Sequence, residues 1–214
     1  MKTIYLIRHG QTAWNREEVF RGRSDVPLDE KGRRQAELVG RYLAGQDLHE
    51  PAFFASPLTR AMETAQIAAG RFSPAHVKSD EAFNDLDFGD WQGMPREDVA
   101  AKYPELYRRW AKEPDRVRFP GGDNLNALAK RAEAGLYNLA ENSSAGDLVI
   151  VTHRVVNKVL LCLVLGTNLK PFWKIKQDTA CVNVLEYGKG EFIIGKVNET
   201  CHLASLEEGP KADF

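Results

Sequence analysis

The sequence predicts an α/β protein with a three-layer α/β/α architecture and a mostly parallel central sheet. Three short apolar runs, TIYLI at 3–7, AFFA at 52–55 and LVIVT at 148–152, each precede a segment of helical character. Buried parallel strands joined by crossover helices have this pattern. The three runs are therefore predicted to be strands of one sheet.

Four helices are predicted around these strands, and two of them begin at recognisable caps. Asp29 is placed as the N-cap of the first helix, and Gly45 ends it. Ser56, with Pro57 at the tolerated first helical position, is placed as the N-cap of the second. The four helices are expected over about 30–43, 57–70, 124–140 and 155–165.

Two further segments complete the predicted architecture. Residues 79–118 are broken by three prolines, with Pro120 shortly after them, and predict a small, irregular helical insertion that resembles a cap. Residues 181–197 alternate around a turn at 188–190 and predict a hairpin that adds an antiparallel strand at the sheet edge. Residues 1–214 are interpreted as one domain containing this cap, because single domains mostly run to about 100–200 residues.

Composition and charge exclude several classes of protein. The 214 residues are 43% hydrophobic and 28% charged, which excludes disordered and fibrous classes. With a net charge of -1, no overall field attracts nucleic acid or an anionic membrane. No apolar run approaches the ~20 residues of a membrane span, and the N-terminus has no secretory signal pattern. We therefore expect a cytoplasmic protein with no nucleic-acid or membrane partner.

Basic side chains follow each of the three predicted strands. Arg8 and His9 follow the first, residues 56–60 follow the second, and His153 and Arg154 follow the third. In an open parallel sheet, ligands bind outside the carboxyl ends of the strands. These segments are therefore expected to meet at one crevice.

Cations gathered at such a crevice predict a phosphate ligand, because the guanidinium fork matches phosphate oxygens. Neutral imidazole can attack phosphorus, and His9 is the candidate nucleophile. Arg8, Arg60 and His153 are expected to stabilise the charge on the transferring phosphoryl group. Asp85 is the candidate acid that protonates the leaving oxygen and later takes a proton from water.

A series of blocks in the chain then resembles a known family. The blocks are LIRHGQTAWN at 6–15, FRGRSDVPLDEKGRRQA at 20–36, SPLTRAMETA at 56–65, DLDFGDWQG at 85–93, FPGGDNL at 119–125 and VTHRVVNKVLLCLVLG at 151–166. In this order they resemble the histidine phosphatase superfamily, the phosphoglycerate mutase-like fold. The resemblance implies that His9 becomes phosphorylated, that Arg8, Arg60 and His153 complete the phosphate pocket, and that Asn15 is a further phosphate contact.

Three more segments are most similar to metal-independent phosphoserine phosphatases: KYPELYRRWAKEP at 102–114, KPFWKIKQDTACVNVLEY at 170–187 and NETCHL at 198–203. This resemblance implies a phosphomonoesterase without metal or other cofactor, acting on a small phosphorylated metabolite such as phosphoserine. It also implies a homodimer that closes a C-terminal segment near the substrate. On that basis His202 is a candidate substrate contact.

Several positions depart from the family pattern. Asp85 falls where most members carry Glu, and Phe88 where the phosphoserine phosphatase pattern has His. Arg21 stands where related phosphatases often have Gln, and Arg154 where a small residue is common. Arg21, Gly22 and Arg154 are taken as substrate-binding candidates, and the two extra cations predict a substrate with a second anionic group.

Three alternatives to this function remain open. They are a cofactor-dependent phosphoglycerate mutase-type phosphotransferase, a phosphatase for α-ribazole phosphate, sugar phosphates or many substrates, and a non-catalytic module that binds phosphorylated ligands. The short insertion at 79–118 favours hydrolysis over the mutase, because a longer one would better exclude water from the intermediate.

Overall fold

The computed structural model describes residues 1–73 and 76–206, and within them the chain forms one six-stranded sheet and seven α-helices. The strands are β1 (Lys2–Arg8), β2 (Ala52–Ala55), β3 (Val77–Ser79), β4 (Leu148–Thr152), β5 (Val182–Gly188) and β6 (Glu191–Glu199). The helices are α1 (Ala13–Arg16), α2 (Glu30–Ala44), α3 (Thr59–Ala69), α4 (Arg96–Lys102), α5 (Pro104–Lys112), α6 (Leu125–Asn142) and α7 (Arg154–Val164).

The sheet order is β3-β2-β4-β1-β5-β6, and the four strands β1 to β4 pair in parallel. The predicted hairpin supplies β5, antiparallel to β1, and β6, antiparallel to β5. The fold class is confirmed, with one refinement: the antiparallel strand β5 lies inside the sheet and β6 forms the edge. A hairpin adds two strands, so its first strand pairs with β1 and its second is left outermost.

Side chains of the inner strands alternate between two apolar cores. Ile4 and Leu6 of β1 pack in the core that includes α6 and α7. Tyr5 and Ile7 pack in the core that includes α2 and α3. Because successive residues of a strand point to opposite faces, this division places helices on both sides of the sheet. Among the helices of the described residues, none has the length and apolar character needed to cross a membrane.

The helix caps agree with the sequence for α2 but not for α3. Asp29 accepts a hydrogen bond from the amide of Gly32, and Gly45 is the C-cap of α2. Ser56, however, is fully buried at the end of β2, and α3 begins only at Thr59. The carboxylate of Asp25 binds the amide of Thr59 at 2.8 Å and its hydroxyl at 2.6 Å. Ser56 is therefore not the N-cap of α3; its hydroxyl accepts a long hydrogen bond of 3.4 Å from the amide of Leu58 and lies in the site described below.

The segment from 80 to 118 consists of short helices, as its prolines predict, and an aromatic cluster attaches it to the body. Phe88 packs edge-on against Phe119 at 4.8 Å between ring centroids. Phe20 packs against Trp91 at 5.0 Å and against Phe88 at 5.3 Å. These contacts hold the segment against the loop that follows Phe20, which carries Arg21.

Candidate active site

The carboxyl ends of β1, β2 and β4 meet, and the two histidines that follow β1 and β4 lie side by side. The amide of His9 donates to the carbonyl of Thr152 at 2.9 Å, which continues the β1–β4 pairing by one residue. The ring centroids of His9 and His153 are 5.3 Å apart. Both rings are about 1% exposed. The structure thus brings together two imidazoles that the sequence separates by more than 140 residues.

The ring of His9 is held in one tautomer by its own loop. Its Nδ1 lies 2.7 Å from the carbonyl oxygen of Gly10, which accepts, so Nδ1 carries the proton and Nε2 keeps its lone pair. Gly10 packs against the backbone of Gly32 so closely that a Cβ would collide with the Gly32 carbonyl oxygen. The absence of a side chain at Gly10 therefore allows the loop to approach α2 and present its carbonyl to the ring.

The electrostatic surroundings keep both imidazoles neutral. Burial and the charges of Arg60, Arg8 and Arg21 lower the pKa of His9 well below 6.5. Burial and the charge of Arg60 likewise lower the pKa of His153 well below 6.5. A neutral imidazole is the form that can act as a nucleophile or accept a fixed hydrogen-bond pattern.

Acid is expected to destabilise the fold through these two rings. Below pH 6.5 the unfolded chain protonates both imidazoles, whereas the folded protein, with lowered pKa values, does not. As the pH falls below 6.5, the free energy of unfolding should decrease by up to about 1.4 kcal/mol per pH unit for each ring. Above pH 6.5 the two rings should not make it depend on pH. Urea unfolding between pH 5 and 7.5 measures this slope. In His9→Asn the slope should be smaller, and an identical slope would contradict the assignment.

Arg60 and Asp85 form a fully buried ion pair beside the histidines. Nη2 of Arg60 donates to Oδ2 of Asp85 at 3.1 Å and to the carbonyl of Gly22 at 2.7 Å. Its Nη1 donates to the carbonyl of Ser24 at 2.8 Å. Nδ1 of His153 lies 3.5 Å from Oδ2 of Asp85, and that nitrogen has no hydrogen-bond partner among the described residues. The carboxylate therefore lies between a guanidinium and an imidazole.

His153 is fixed from the side opposite Asp85. Its Nε2 lies 2.7 Å from the hydroxyl of Ser56, at the end of β2. Sequence reasoning placed Ser56 at a helix cap and missed this contact. The available signal was its position: Ser56 follows a buried strand on the side where the histidines lie.

A buried polar network behind the site holds Arg8. Nη1 of Arg8 donates to the backbone carbonyl of Gln177, whose own side chain is fully buried. The Gln177 amide oxygen accepts from Asn157 at 3.0 Å and from Asn183 at 2.8 Å. Asn183 in turn donates to the carbonyl of Leu6 in β1. The network thus connects α7, β5 and β1, three elements that flank the histidines, and sequence reasoning did not find it.

Replacing Gln177 by leucine is expected to lower stability and to disturb Arg8. The substitution removes the partner of two buried amide groups, each costing about 1–3 kcal/mol when left unsatisfied. We expect the free energy of unfolding, measured in urea, to fall by about 2–4 kcal/mol, with kcat reduced more than KM is raised. Glu186→Leu, on β5 at a partly exposed position, is the matched control. Equal unfolding midpoints for both variants would contradict the role of the network.

A crevice leads to His9, and the space in and around its opening, open solvent included, is about 390 Å³. It is lined by His9, Val19, Phe20, Arg21, Gly22, Asp85, Phe88, Arg154 and Val155. Gly22 has a φ of +50°, and a Cβ there would crowd the side chain of Gln92 and the carbonyl of Leu86. That turn points the Gly22 carbonyl at Arg60 and places Arg21 at the crevice wall.

The remaining candidates lie in different places. Asn15 is buried, and its carbonyl oxygen accepts from the amide and hydroxyl of Thr12, which leaves its amide nitrogen as the donor for a ligand. His202 does not line the crevice. Its ring packs against Tyr42 of α2 at 5.1 Å, and its Nε2 lies 3.0 Å from the carbonyl of Ala180. Because Ala180 donates its amide to the carbonyl of His9, His202 supports the site from behind, and its position does not favour substrate contact.

No group of three or more His, Cys, Asp or Glu side chains in residues 1–73 and 76–206 is arranged to hold a metal ion. The charged groups at the crevice are arginines, one carboxylate and two neutral imidazoles. This arrangement suits a phosphate ester, whose oxygens arginine binds in pairs.

A parallel α/β sheet with such an anion crevice at its strand ends defines a class of enzymes that act on phosphate esters. The chain belongs to the histidine phosphatase superfamily (branch 1), whose family model matches residues 4–200, and it is a phosphatase. The resemblance found in the sequence is therefore confirmed.

Three comparisons place the chain within this superfamily. It is 34% identical over 206 residues to phosphoserine phosphatase 1 of Hydrogenobacter thermophilus, covering 96% of each chain. It superposes on YhfR of Bacillus stearothermophilus with a TM-score of 0.88 and 28% identity, covering 95% of this chain and 100% of the other. It superposes on a phosphoserine phosphatase of Entamoeba histolytica, solved with 3-phosphoglyceric acid, with a TM-score of 0.82, 25% identity and the same two coverages.

Proposed function

We propose that this phosphatase is a metal-independent phosphomonoesterase that hydrolyses a small phosphorylated metabolite through a phosphohistidine at His9. The observation that carries the proposal is the fixed tautomer of His9. Its Nδ1 proton is held by the Gly10 carbonyl at 2.7 Å, which leaves the Nε2 lone pair for attack. The lowered pKa keeps this nitrogen unprotonated at neutral pH.

In the first step Nε2 of His9 attacks phosphorus, and the bond from phosphorus to the ester oxygen breaks. Asp85 gives its proton to that oxygen, so the product leaves as an alcohol. Asp85 lines the crevice beside His9. A bound phosphate dianion competes with this carboxyl group for Arg60.

In the second step water attacks phosphorus and gives a proton to the Asp85 carboxylate. The bond from phosphorus to Nε2 breaks, inorganic phosphate leaves, and His9 regains its lone pair. The proton stays on Nδ1 of His9, hydrogen-bonded to the Gly10 carbonyl, through both steps. The imidazole therefore returns to its starting form. Asp85 then holds the proton needed for the next cycle.

The buried cations supply the electrostatic part of catalysis. Phosphoryl transfer spreads negative charge over three equatorial oxygens, which fixed donors stabilise without reorganisation. Arg8 and Arg60 are 3% and 0% exposed and are held by backbone carbonyls, so their positions are set before substrate binds. Nδ1 of His153 is a further group placed to meet a phosphoryl oxygen.

Phosphoserine is the first substrate to test. The relatives from Hydrogenobacter thermophilus and Entamoeba histolytica are named for it, and both align over nearly the whole chain. His9 is buried at the end of a crevice and is not at an exposed surface, which suits a small metabolite better than a phosphorylated protein. Phe88 in its wall adds an apolar surface beside the leaving group.

The experiment supplies radiolabelled phosphoserine, 3-phosphoglycerate, a sugar phosphate and a nucleoside monophosphate in EDTA. Free phosphate and protein-bound, acid-labile label are followed together. Turnover in EDTA with transient label supports the proposal. Loss of turnover in EDTA contradicts metal independence, isomerised product without free phosphate indicates a phosphotransferase, and ligand binding without label or turnover indicates a non-catalytic module.

A further inference from the structure

Two of the arginines at the site, Arg21 and Arg154, line the wall of the crevice. Arg8 and Arg60 lie behind His9, buried and fixed by backbone carbonyls, and they form the floor of the site. Arg21 and Arg154 instead line the crevice itself, where the leaving group of a phosphate ester would lie. Their positions separate the cations into two sets.

Arg21 has an unsatisfied donor. Its Nη1 is buried, and within the described part of the chain it has no hydrogen-bond partner. A buried guanidinium nitrogen normally has an acceptor, because leaving it without one is costly. Burial, Arg8, Arg60 and Arg154 also lower the pKa of Arg21, which shows that other guanidinium groups surround it. An anionic ligand would satisfy the nitrogen and relieve the repulsion together.

Arg154 is held beside the crevice by an aromatic side chain. It is the first residue of α7, directly after His153. Its guanidinium carbon lies 5.8 Å from the ring centroid of Trp173, and the indole nitrogen of Trp173 donates to the carbonyl of Trp110 at 2.8 Å. Trp173 is thus anchored to α5 and restricts the orientation of Arg154.

The charge balance of the site leaves room for more than one anion. With neutral imidazoles, four arginines and one carboxylate give the site an excess of about three positive charges. A phosphate monoester dianion neutralises about two of them. The remaining positive charge lies on the side of Arg21 and Arg154, where a second anionic group would complete the neutralisation.

We propose, on the basis of the function above, that Arg21 and Arg154 form a subsite for a second anionic group, a carboxylate or a second phosphate, on the leaving group of the substrate. The guanidinium fork binds either oxyanion in pairs. The physiological substrate is then a phosphorylated acid or a bisphosphate, in preference to a neutral or cationic phosphomonoester.

The test compares substrates that differ in one charged group. Phosphoserine is paired with phosphoethanolamine, which lacks the carboxylate. Propane-1,3-diol bisphosphate is paired with its monophosphate. For each pair the ratio of kcat/KM values is measured in the wild type, Arg21→Gln, Arg154→Gln and, as a remote charge control, Arg34→Gln on α2. Arg34 is exposed and pairs with Glu30. A ratio within one preparation is independent of how much of the protein has folded.

In the wild type and in Arg34→Gln we expect that, for one of the two pairs, kcat/KM is at least about tenfold higher for the member that carries the second anionic group. Each crevice variant should lower that ratio by about 10- to 100-fold, as expected for a lost charge-assisted hydrogen bond. The pair that responds identifies the carboxylate or the phosphate as the second anion. Equal losses for both members of both pairs would overturn the subsite, because the arginines would then act on the phosphoryl group.

Failure of this inference is distinguishable from failure of the proposed function. Acid-labile label on the protein is measured in the same preparations. If the protein becomes labelled but the kcat/KM ratios of the Arg21→Gln and Arg154→Gln variants equal those of the wild type, only the subsite is overturned. The absence of label in every variant and in the wild type overturns the phosphohistidine mechanism and removes the basis of the subsite with it.

Discussion

Replacing His9 by alanine is expected to lower kcat/KM by at least about 10⁴-fold, because the nucleophile acts as one unit with the groups around it. The fixed tautomer, with Nδ1 bound to Gly10 and Nε2 unprotonated, is lost together with the ring. No acid-labile label should form. Steady-state kinetics on phosphoserine and quenched labelling measure the two effects separately.

The control for this substitution is His76→Ala, at an exposed histidine beyond the crevice. It should leave both activity and labelling unchanged. Activity of the His9→Ala variant within about tenfold of the wild type would contradict covalent catalysis at this residue. Label retained on the variant would instead assign the phosphorylated group to another side chain, with His153 the next to examine because its ring lies 5.3 Å away.

The sequence predicts much of the fold, and β3 is one of the elements that it does not predict. The strands β1, β2 and β4 are buried on both faces, so their continuous apolar runs identify them. β3 has three residues, of which only Val77 is partly buried. A short edge strand has few apolar neighbours and carries no period that a sequence could reveal.

The candidate site, like the fold, is predicted only in part by the sequence. His9, Arg60 and His153 were placed correctly beside one another by position alone, since the ends of neighbouring parallel strands must meet. Gln177 and its amide partners were not found, because they lie far apart in the chain and meet only through packing. The usable signal was Asn157, a polar residue within the apolar helix sequence VVNKVLLC. Such a residue predicts a buried hydrogen-bond network without identifying its partners.

The role of His202 as a substrate contact stays a prediction, which its position in the chain does not favour. Family likeness associated it with a closing C-terminal segment, but its ring packs on α2 and its Nε2 contacts the carbonyl of Ala180.

Replacing Asp85 by asparagine is expected to separate the two chemical steps. An alkyl phosphate such as phosphoserine needs a proton on its leaving oxygen, so its kcat/KM should fall by about 10²–10⁴-fold. p-Nitrophenyl phosphate has a leaving group that is stable without a proton, so His9 should still be phosphorylated at close to the normal rate. The phosphohistidine then lacks the carboxylate that activates water, and it should accumulate. Rapid-quench measurement should show a burst of nitrophenolate equal to the enzyme concentration, followed by slow turnover.

Asp85→Glu is the matched variant, because it keeps the carboxyl group that most members of the superfamily carry at this position. The native carboxylate is oriented by Nη2 of Arg60 at 3.1 Å and by the amide of Leu86 at 2.9 Å. One added methylene still allows a carboxyl oxygen to reach the crevice, so activity within about tenfold of the wild type is expected, with no burst. Equal losses on both substrates for Asp85→Asn, without accumulated label, would show that Asp85 positions Arg60 and that another group carries the proton.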